Sequence, residues 1–197
     1  MIQYNIDEIN KVIQSRRTIK PGKYSDKQID SKIIDIILEN ANWAPSHGNS
    51  EPWRFVVFTG NSRALLADFK SKWYKENTPP EYFKEAKFLK YSSIPFLAPY
   101  IIAICMKREP DSKIPEIEDI QAVACAVQNM QLTAVAYGIG TYWNSGGFTY
   151  SKEVINFLGF QLDVKCLGFL YLGYPLNDEW PKGYRRTDII QKTIWKR

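Results

Sequence analysis

Histidine is nearly absent from this chain: His47 is the only one in 197 residues, and Cys105, Cys125 and Cys166 form no Cys-x-x-Cys pair. Zinc sites need clustered nitrogen and sulfur ligands, so a metal site has almost no material to draw on, and there is no HExxH. A Ser-His-acid triad would have to use His47, and no Gly-x-Ser-x-Gly elbow accompanies it. No glycine-rich phosphate loop follows a strand; Gly138-Ile139-Gly140 follows a helical stretch, the wrong context for a dinucleotide fold. No apolar run reaches the length of a membrane span, and the opening MIQYNIDEINKVIQSRR lacks a signal-peptide core. The expectation is a protein of the reducing cytoplasm, with three buried thiols and no membrane partner. Blocks of five like charges are also missing. The 26 basic residues are spread among 21 acidic ones, for a net charge of +5, and no nucleic-acid module is recognisable, so nucleic acid is not expected as a partner.

What the chain does have is apolar and aromatic surface, at 45% and 14% of its residues. That suits one domain over residues 1–197 with a core that needs no disulfide or metal. Ile6, Ile9, Val12 and Ile13 share one face of a first helix ending at an Arg-Arg pair. Ser25 and Gln28 read as a capping box that opens a second helix through Ala41. Strands are predicted at 53–60, 99–107 and 165–175, with a short one at the start of 140–147. Helices are predicted from Ser62 to Lys75, around 81–90, over 116–137 and after a Ser151 cap. Strands alternating with helices, with a dominant helix in the middle, predict an α+β sandwich with a central mixed β-sheet flanked by helices.

Two features fit no bland element. Arg16, Arg17, Thr18 and Lys20 cluster in SRRTIKPGKY, and Lys182, Arg185, Arg186 and Thr187 cluster in PKGYRRTD. Paired guanidiniums beside a hydroxyl suit a phosphate, because the planar fork donates two parallel charge-assisted bonds. The stretch NWAPSHGNSEPWRFVVF packs Trp43, Pro45, His47, Asn49 and Pro52 into a loop. Such a loop suits contact with something flat and partly polar better than a solvent-facing turn.

These motifs, together with GIGTYWNSGG after a long helix, GFLYLGYP and the late basic pair, occur in the order seen in the nitroreductase family. The chain resembles the short single-domain members of that family over nearly its whole length. The resemblance implies a homodimer with the long helix at its interface and an FMN at each of two intersubunit sites. It also implies NADH or NADPH as reductant: hydride passes to flavin N5 and on to a nitroaromatic, quinone or similar small-molecule acceptor, with no catalytic protein residue required. Arg16 and Thr18 match positions that contact the flavin phosphate, with Arg17 between them and the tail pair Arg185 and Arg186 as a second basic source. Lys20 matches a basic position at the pyrimidine end. Asn49 matches a ring-bonding asparagine, and Pro45, Ser46 and His47 match residues that reach the other subunit's flavin. Trp143, Asn144, Ser145 and Gly146 match the segment along the ring, where backbone N–H groups face N5 and the glycine allows close approach. Trp53 is assigned to the core. Glu51 departs from the family pattern, standing where many members carry Gln. Relatives of this fold that carry out reductive dehalogenation or ring oxidation remain alternatives, with residues 71–95 as the only candidate lid. A non-enzymatic flavin- or nucleic-acid-binding module is the other alternative.

Overall fold

One four-stranded sheet separates two apolar cores. The computed structural model describes residues 4–161 and 163–197 and, of Asp178, the backbone alone. The strands are β1 (Trp53–Thr59), β2 (Tyr100–Lys107), β3 (Gly140–Asn144) and β4 (Val164–Gly173), in spatial order β1-β2-β4-β3. The helices are α1 (Ile6–Ser15), α2 (Ser31–Asn42), α3 (Ser62–Glu76), α4 (Glu85–Ser93), α5 (Glu116–Ala136) and α6 (Lys152–Phe157).

The two-residue period of β2 divides the molecule. Ile102, Ile104 and Met106 face a core built with α2 and α5, whereas Ile101, Ala103 and Cys105 face a second core with α3 and α6. The strand is buried on both sides and accordingly reads YIIAICMK, a continuous apolar run. The α+β sandwich is as expected, but the mixed sheet is corrected. All three strand pairings are antiparallel, and the parallel component is confined to an isolated bridge between Thr18 and Thr141. The reason is topological. Helix α5 carries the chain from β2 to β3 in the same direction, and β4 then inserts between them, so every neighbour runs opposite.

Side-chain caps fix the starts of α1, α2 and α6. The Asn5 side chain accepts from the Asp7 and Glu8 N–H groups, and Ser151 caps α6 through the Val154 N–H. The expected capping box at Ser25 and Gln28 is not formed. Ser25 donates from both its N–H and its hydroxyl to the Tyr174 carbonyl, Gln28 turns back to Asp26, and Asp30 caps α2 instead. The three cysteines also differ from expectation. Cys105 and Cys166 are buried opposite one another on β2 and β4, but Cys125 is exposed, because it lies on the outer face of α5.

The segment proposed as a lid is mostly exposed and is anchored to the protein at a few side chains. Ser71 and Tyr74 are buried on α3, Tyr74 stacks on Phe83 at 5.3 Å, and Tyr91 of α4 meets Phe148 edge-on at 5.8 Å.

Candidate functional site

The basic residues gather at the β3 edge of the sheet. Residues 18 and 19 run alongside β3, with the Ile19 N–H donating to the Thr141 carbonyl at 2.9 Å. They lie so close that a Cβ on Gly140 would come within 2.9 Å of the Ile19 side chain. The tail comes to the same place from the far end of the sequence. The Trp180 indole N–H donates to the Ser15 carbonyl at 2.5 Å, and the Arg17 Nε donates to the Pro181 carbonyl at 3.0 Å. Gly183 lies directly against the Arg17 guanidinium, where any side chain would collide. Thus residues 180–183, leading into the second basic cluster, are brought against Arg17 at the end of α1 from more than 160 residues away.

Within this notch the residues divide by role. Arg17 also donates from Nη1 to the Gln14 and Arg16 carbonyls, both at 2.7 Å. These bonds tie its Nε and Nη1 to the chain itself and leave Nη2 uncommitted. Arg16 is half-buried, and among the described residues its guanidinium has no hydrogen-bond or ion-pair partner. Thr18 and Lys20 are exposed. Arg185 and Arg186 are exposed as well, Arg185 donating only to the Tyr184 carbonyl.

Further along β3, Trp143 and Ser145 line a cleft of about 400 Å³ together with Ile120, Ala124, Tyr150 and Leu167. The Trp143 indole lies on Gly168, whose φ of 135° belongs to the region only glycine tolerates and whose missing Cβ would sit 2.5 Å from the indole nitrogen. The β2–β4 register shifts between Ile104 and Cys105, opposite Leu167. Leu167 also lines an adjoining cavity of about 450 Å³ with Cys166, Thr149 and Lys152. Asn144 points elsewhere, accepting from the Tyr142 hydroxyl at 3.2 Å. Gly146 differs from expectation. Its N–H donates to Thr149 Oγ1 at 3.0 Å, and an added Cβ would meet the Phe148 ring at 2.9 Å. Packing from below requires that glycine, and its N–H is already used.

The loop with the histidine lies on the opposite flank of α5. His47 Nδ1 is 2.6 Å from Glu118 Oε2, and the Ser50 hydroxyl donates to Asp119 Oδ1 at 3.2 Å. Asp119, only 3% exposed, is paired with Arg108 at 2.8 Å, and Arg108 also donates to the Ile114 carbonyl at 2.6 Å. Gly48, Asn49 and Glu51 have φ of 58°, 54° and 42°. The two that carry side chains cost on the order of 1 kcal/mol or more each. Pro45, His47 and Asn49 are exposed, Ser46 half-buried, and Trp53 buried as assigned, its indole donating to Asn42. Among the described residues no hydrogen bond or ion pair links this loop to the notch at 16–20.

Sequence reasoning missed Arg108, Glu118, Asp119, Leu167 and Lys70. Lys70 is 1% exposed, and its Nζ donates to the Tyr171 hydroxyl at 2.6 Å among the rings of Tyr91, Phe148 and Tyr171. Burial, with repulsion from Lys90 added, pushes its pKa down to about 7. A signal for it was present: Lys70 follows Leu66 by four residues and precedes Tyr74 by four, on the apolar face of α3.

A sheet between two helical layers, with a basic notch at its edge and a strained polar loop across the longest helix, defines an α+β sandwich built to bind an anionic ligand. The chain belongs to the nitroreductase family, whose sequence profile matches residues 13–174. It is 31% identical over 179 residues to YfhC of Bacillus subtilis, a protein provisionally named as an NAD(P)H nitroreductase, covering 90% of this chain and 89% of that one. The crystal structure of a nitroreductase-like family protein from Bacillus cereus superposes with a TM-score of 0.79 at 30% identity, covering 100% of this chain and 98% of that one. The FMN-dependent nitroreductase NfnB of Mycobacterium smegmatis, solved with NADPH, shares the fold at a TM-score of 0.75 and 17% identity, over 98% and 100% of the two chains.

Proposed function

We propose that the protein is an FMN-dependent NAD(P)H oxidoreductase that passes electrons to a nitroaromatic, a quinone or a similar electrophile. The observation that carries this reading is the convergence of residues 15–19 and 180–183 at the sheet edge, through the Arg17–Pro181 and Trp180–Ser15 hydrogen bonds and the close approach of Gly183 to Arg17. The donor set fits a phosphorylated flat ligand. Arg16 offers a free guanidinium, Thr18 a hydroxyl and Lys20 an ammonium, and Trp143 and Ser145 border an apolar cleft further along the same edge strand. Bound FMN would supply the two-electron chemistry.

The chain's own groups bind and orient. Arg16 and Thr18 would hold the phosphate, with the exposed Arg185 and Arg186 adding positive potential. Lys20 would stabilise negative charge at the pyrimidine end. No residue of the notch is arranged as a nucleophile with its base, in keeping with a site that works by binding and electrostatics.

A symmetric dimer completes this reading. Helix α5 leaves Ile117, Gln121, Ala124, Cys125 and Gln128 exposed along one face, between the flank that holds His47 and the flank next to Trp143. Packing that face on its copy about a twofold axis would carry the His47 loop of one subunit toward the Trp143 flank of the other. The exposed Ile6, Ile9 and Ile13 of α1 offer further apolar surface for such an interface. The basic charge and the free thiols are compatible with the cytoplasm as its compartment.

The test is titration of the flavin-free protein with FMN and with riboflavin. FMN should bind far more tightly, because only FMN engages the notch. Equal affinities would remove the basis of the reading.

A further inference from the structure

The loop at 46–51 holds a strained backbone with weak internal restraints. Its own hydrogen bonds are few: Asn49 N–H to the Ser46 carbonyl, long at 3.4 Å, Ser50 N–H to the His47 carbonyl at 3.1 Å and Glu51 N–H to Ser46 Oγ at 3.2 Å. Asn49 and Glu51 nevertheless keep positive φ. Further restraints come from the first turn of α5, where His47 Nδ1 lies 2.6 Å from a Glu118 oxygen and the Ser50 hydroxyl donates to Asp119 at 3.2 Å. The Glu118 bond lies at the surface, whereas Asp119 is buried and ionic. A buried carboxylate with a guanidinium partner at 2.8 Å is a rigid post, since unpairing it leaves a desolvated charge. Arg108 in turn is fixed by its bond to the Ile114 carbonyl, and Ile114 Cδ1 lies 3.9 Å from where a Cβ of Gly48 would be. Ser50, Asp119, Arg108 and the Ile114 carbonyl therefore form a hydrogen-bonded chain, with the Ile114 side chain standing near Gly48 of the same loop.

We propose that Asp119 and Arg108 are positioning residues of the redox site, holding the 46–51 loop in the strained shape that presents His47 and Asn49 to the partner subunit's flavin. The proposal rests on the dimeric flavin reading above, but its mechanical half stands alone. Neither residue touches the cofactor; both act through Ser50.

The experiment compares wild type, Arg108→Met, Arg108→Lys, Ser50→Ala and the double variant Ser50→Ala/Arg108→Met. Hydrogen exchange of amides 47–51 is followed in the flavin-free protein, and NADH reduction of bound FMN is followed at saturating NADH. Arg108→Met should speed loop exchange and slow flavin reduction, each at least tenfold, and Ser50→Ala should act in the same direction. The double variant should be within twofold of Arg108→Met, because both changes cut one tether. Arg108→Lys, which keeps a charge on Asp119, should recover a large part of the rate. Should Arg108→Met not fold, Ser50→Ala with Arg108→Lys reads the same tether. Unchanged loop exchange overturns the proposal, as do multiplicative effects in the double variant or faster exchange with unaltered flavin reduction. If wild type takes up no FMN, the flavin reading fails instead, and the exchange data alone decide whether the tether exists.

Discussion

Arg16 and Arg17 are adjacent, yet the fold gives them opposite work. Arg17 is occupied by three backbone carbonyls and fastens the tail, while Arg16 keeps an unpartnered guanidinium. Arg16→Ala should therefore weaken FMN binding by roughly 2–3 kcal/mol, an effect that shrinks as salt rises, with riboflavin affinity unchanged. Arg185→Ala and Arg186→Ala should each cost only about 1 kcal/mol, since these exposed groups act in high dielectric. Fluorescence titration at two salt concentrations checks all three. Asn49 calls for a paired substitution, because Ala at its φ of 54° adds strain while Gly does not. If the side chain bonds the flavin, Asn49→Gly and Asn49→Ala should both slow flavin reduction in stopped flow. A rate restored by Gly alone would reduce Asn49 to a turn residue. Lys70 predicts a pH dependence. Above its ordinary value of 10.5 the lysine is neutral in both folded and unfolded chains. Between 10.5 and about 7 the unfolded chain binds a proton that the folded chain resists, so stability falls as pH falls, and below about 7 the loss is complete. The total is on the order of 5 kcal/mol. Urea denaturation from pH 7 to 9.5 should show wild-type stability rising with pH and Lys70→Met flatter and more stable at pH 7. Equal slopes would mean that Lys70 keeps its proton in the folded chain.

Helix α5 does three things at once: its inner face fills the core with Ala122, Val123, Ala126, Val127 and Met130, one flank anchors the His47 loop, and the other borders the Trp143 cleft. Its outer face is left with the uncharged Ile117, Gln121, Ala124, Cys125 and Gln128. Ala124→Arg should break the proposed dimer by burying an unpaired charge at its centre, and with it FMN retention. Sedimentation at micromolar concentration reads this directly; a dimer that survives would move the interface elsewhere. How legible these elements were depended on how local their causes are. The β2 and β4 runs, the Ser151 cap and the span of α5 follow from neighbouring residues, and all were readable within a residue or two. The start of α2 was not, because Ser25, a plausible cap by spacing, is taken by the Tyr174 carbonyl 149 residues away. The antiparallel sheet was hidden for the same reason, since the insertion of β4 between β2 and β3 is a decision of tertiary packing. In the site, the two basic clusters were legible as compositions. The anchors Glu118 and Asp119 were not: they read as ordinary acidic residues in a first helical turn, and their partners lie 71 and 69 residues away.

For the whole molecule, a net charge of +5 is spread thinly except where the fold gathers it at the β3 edge. A chain that only needed solubility would have no reason to pin its tail there through the half-buried Trp180 and Arg17. The notch, the cleft along β3 and the loop across α5 make sense together if one flat anionic cofactor lies between two subunits. That claim is tested most directly by reconstituting the protein with FMN, removing the excess, and adding NADH or NADPH without oxygen. One flavin should be retained per chain, its yellow absorbance bleached by one equivalent of reduced nicotinamide and then restored by a quinone or nitroaromatic acceptor. A protein that retains no FMN, or whose bound flavin stays yellow under excess of both nicotinamides, would contradict it.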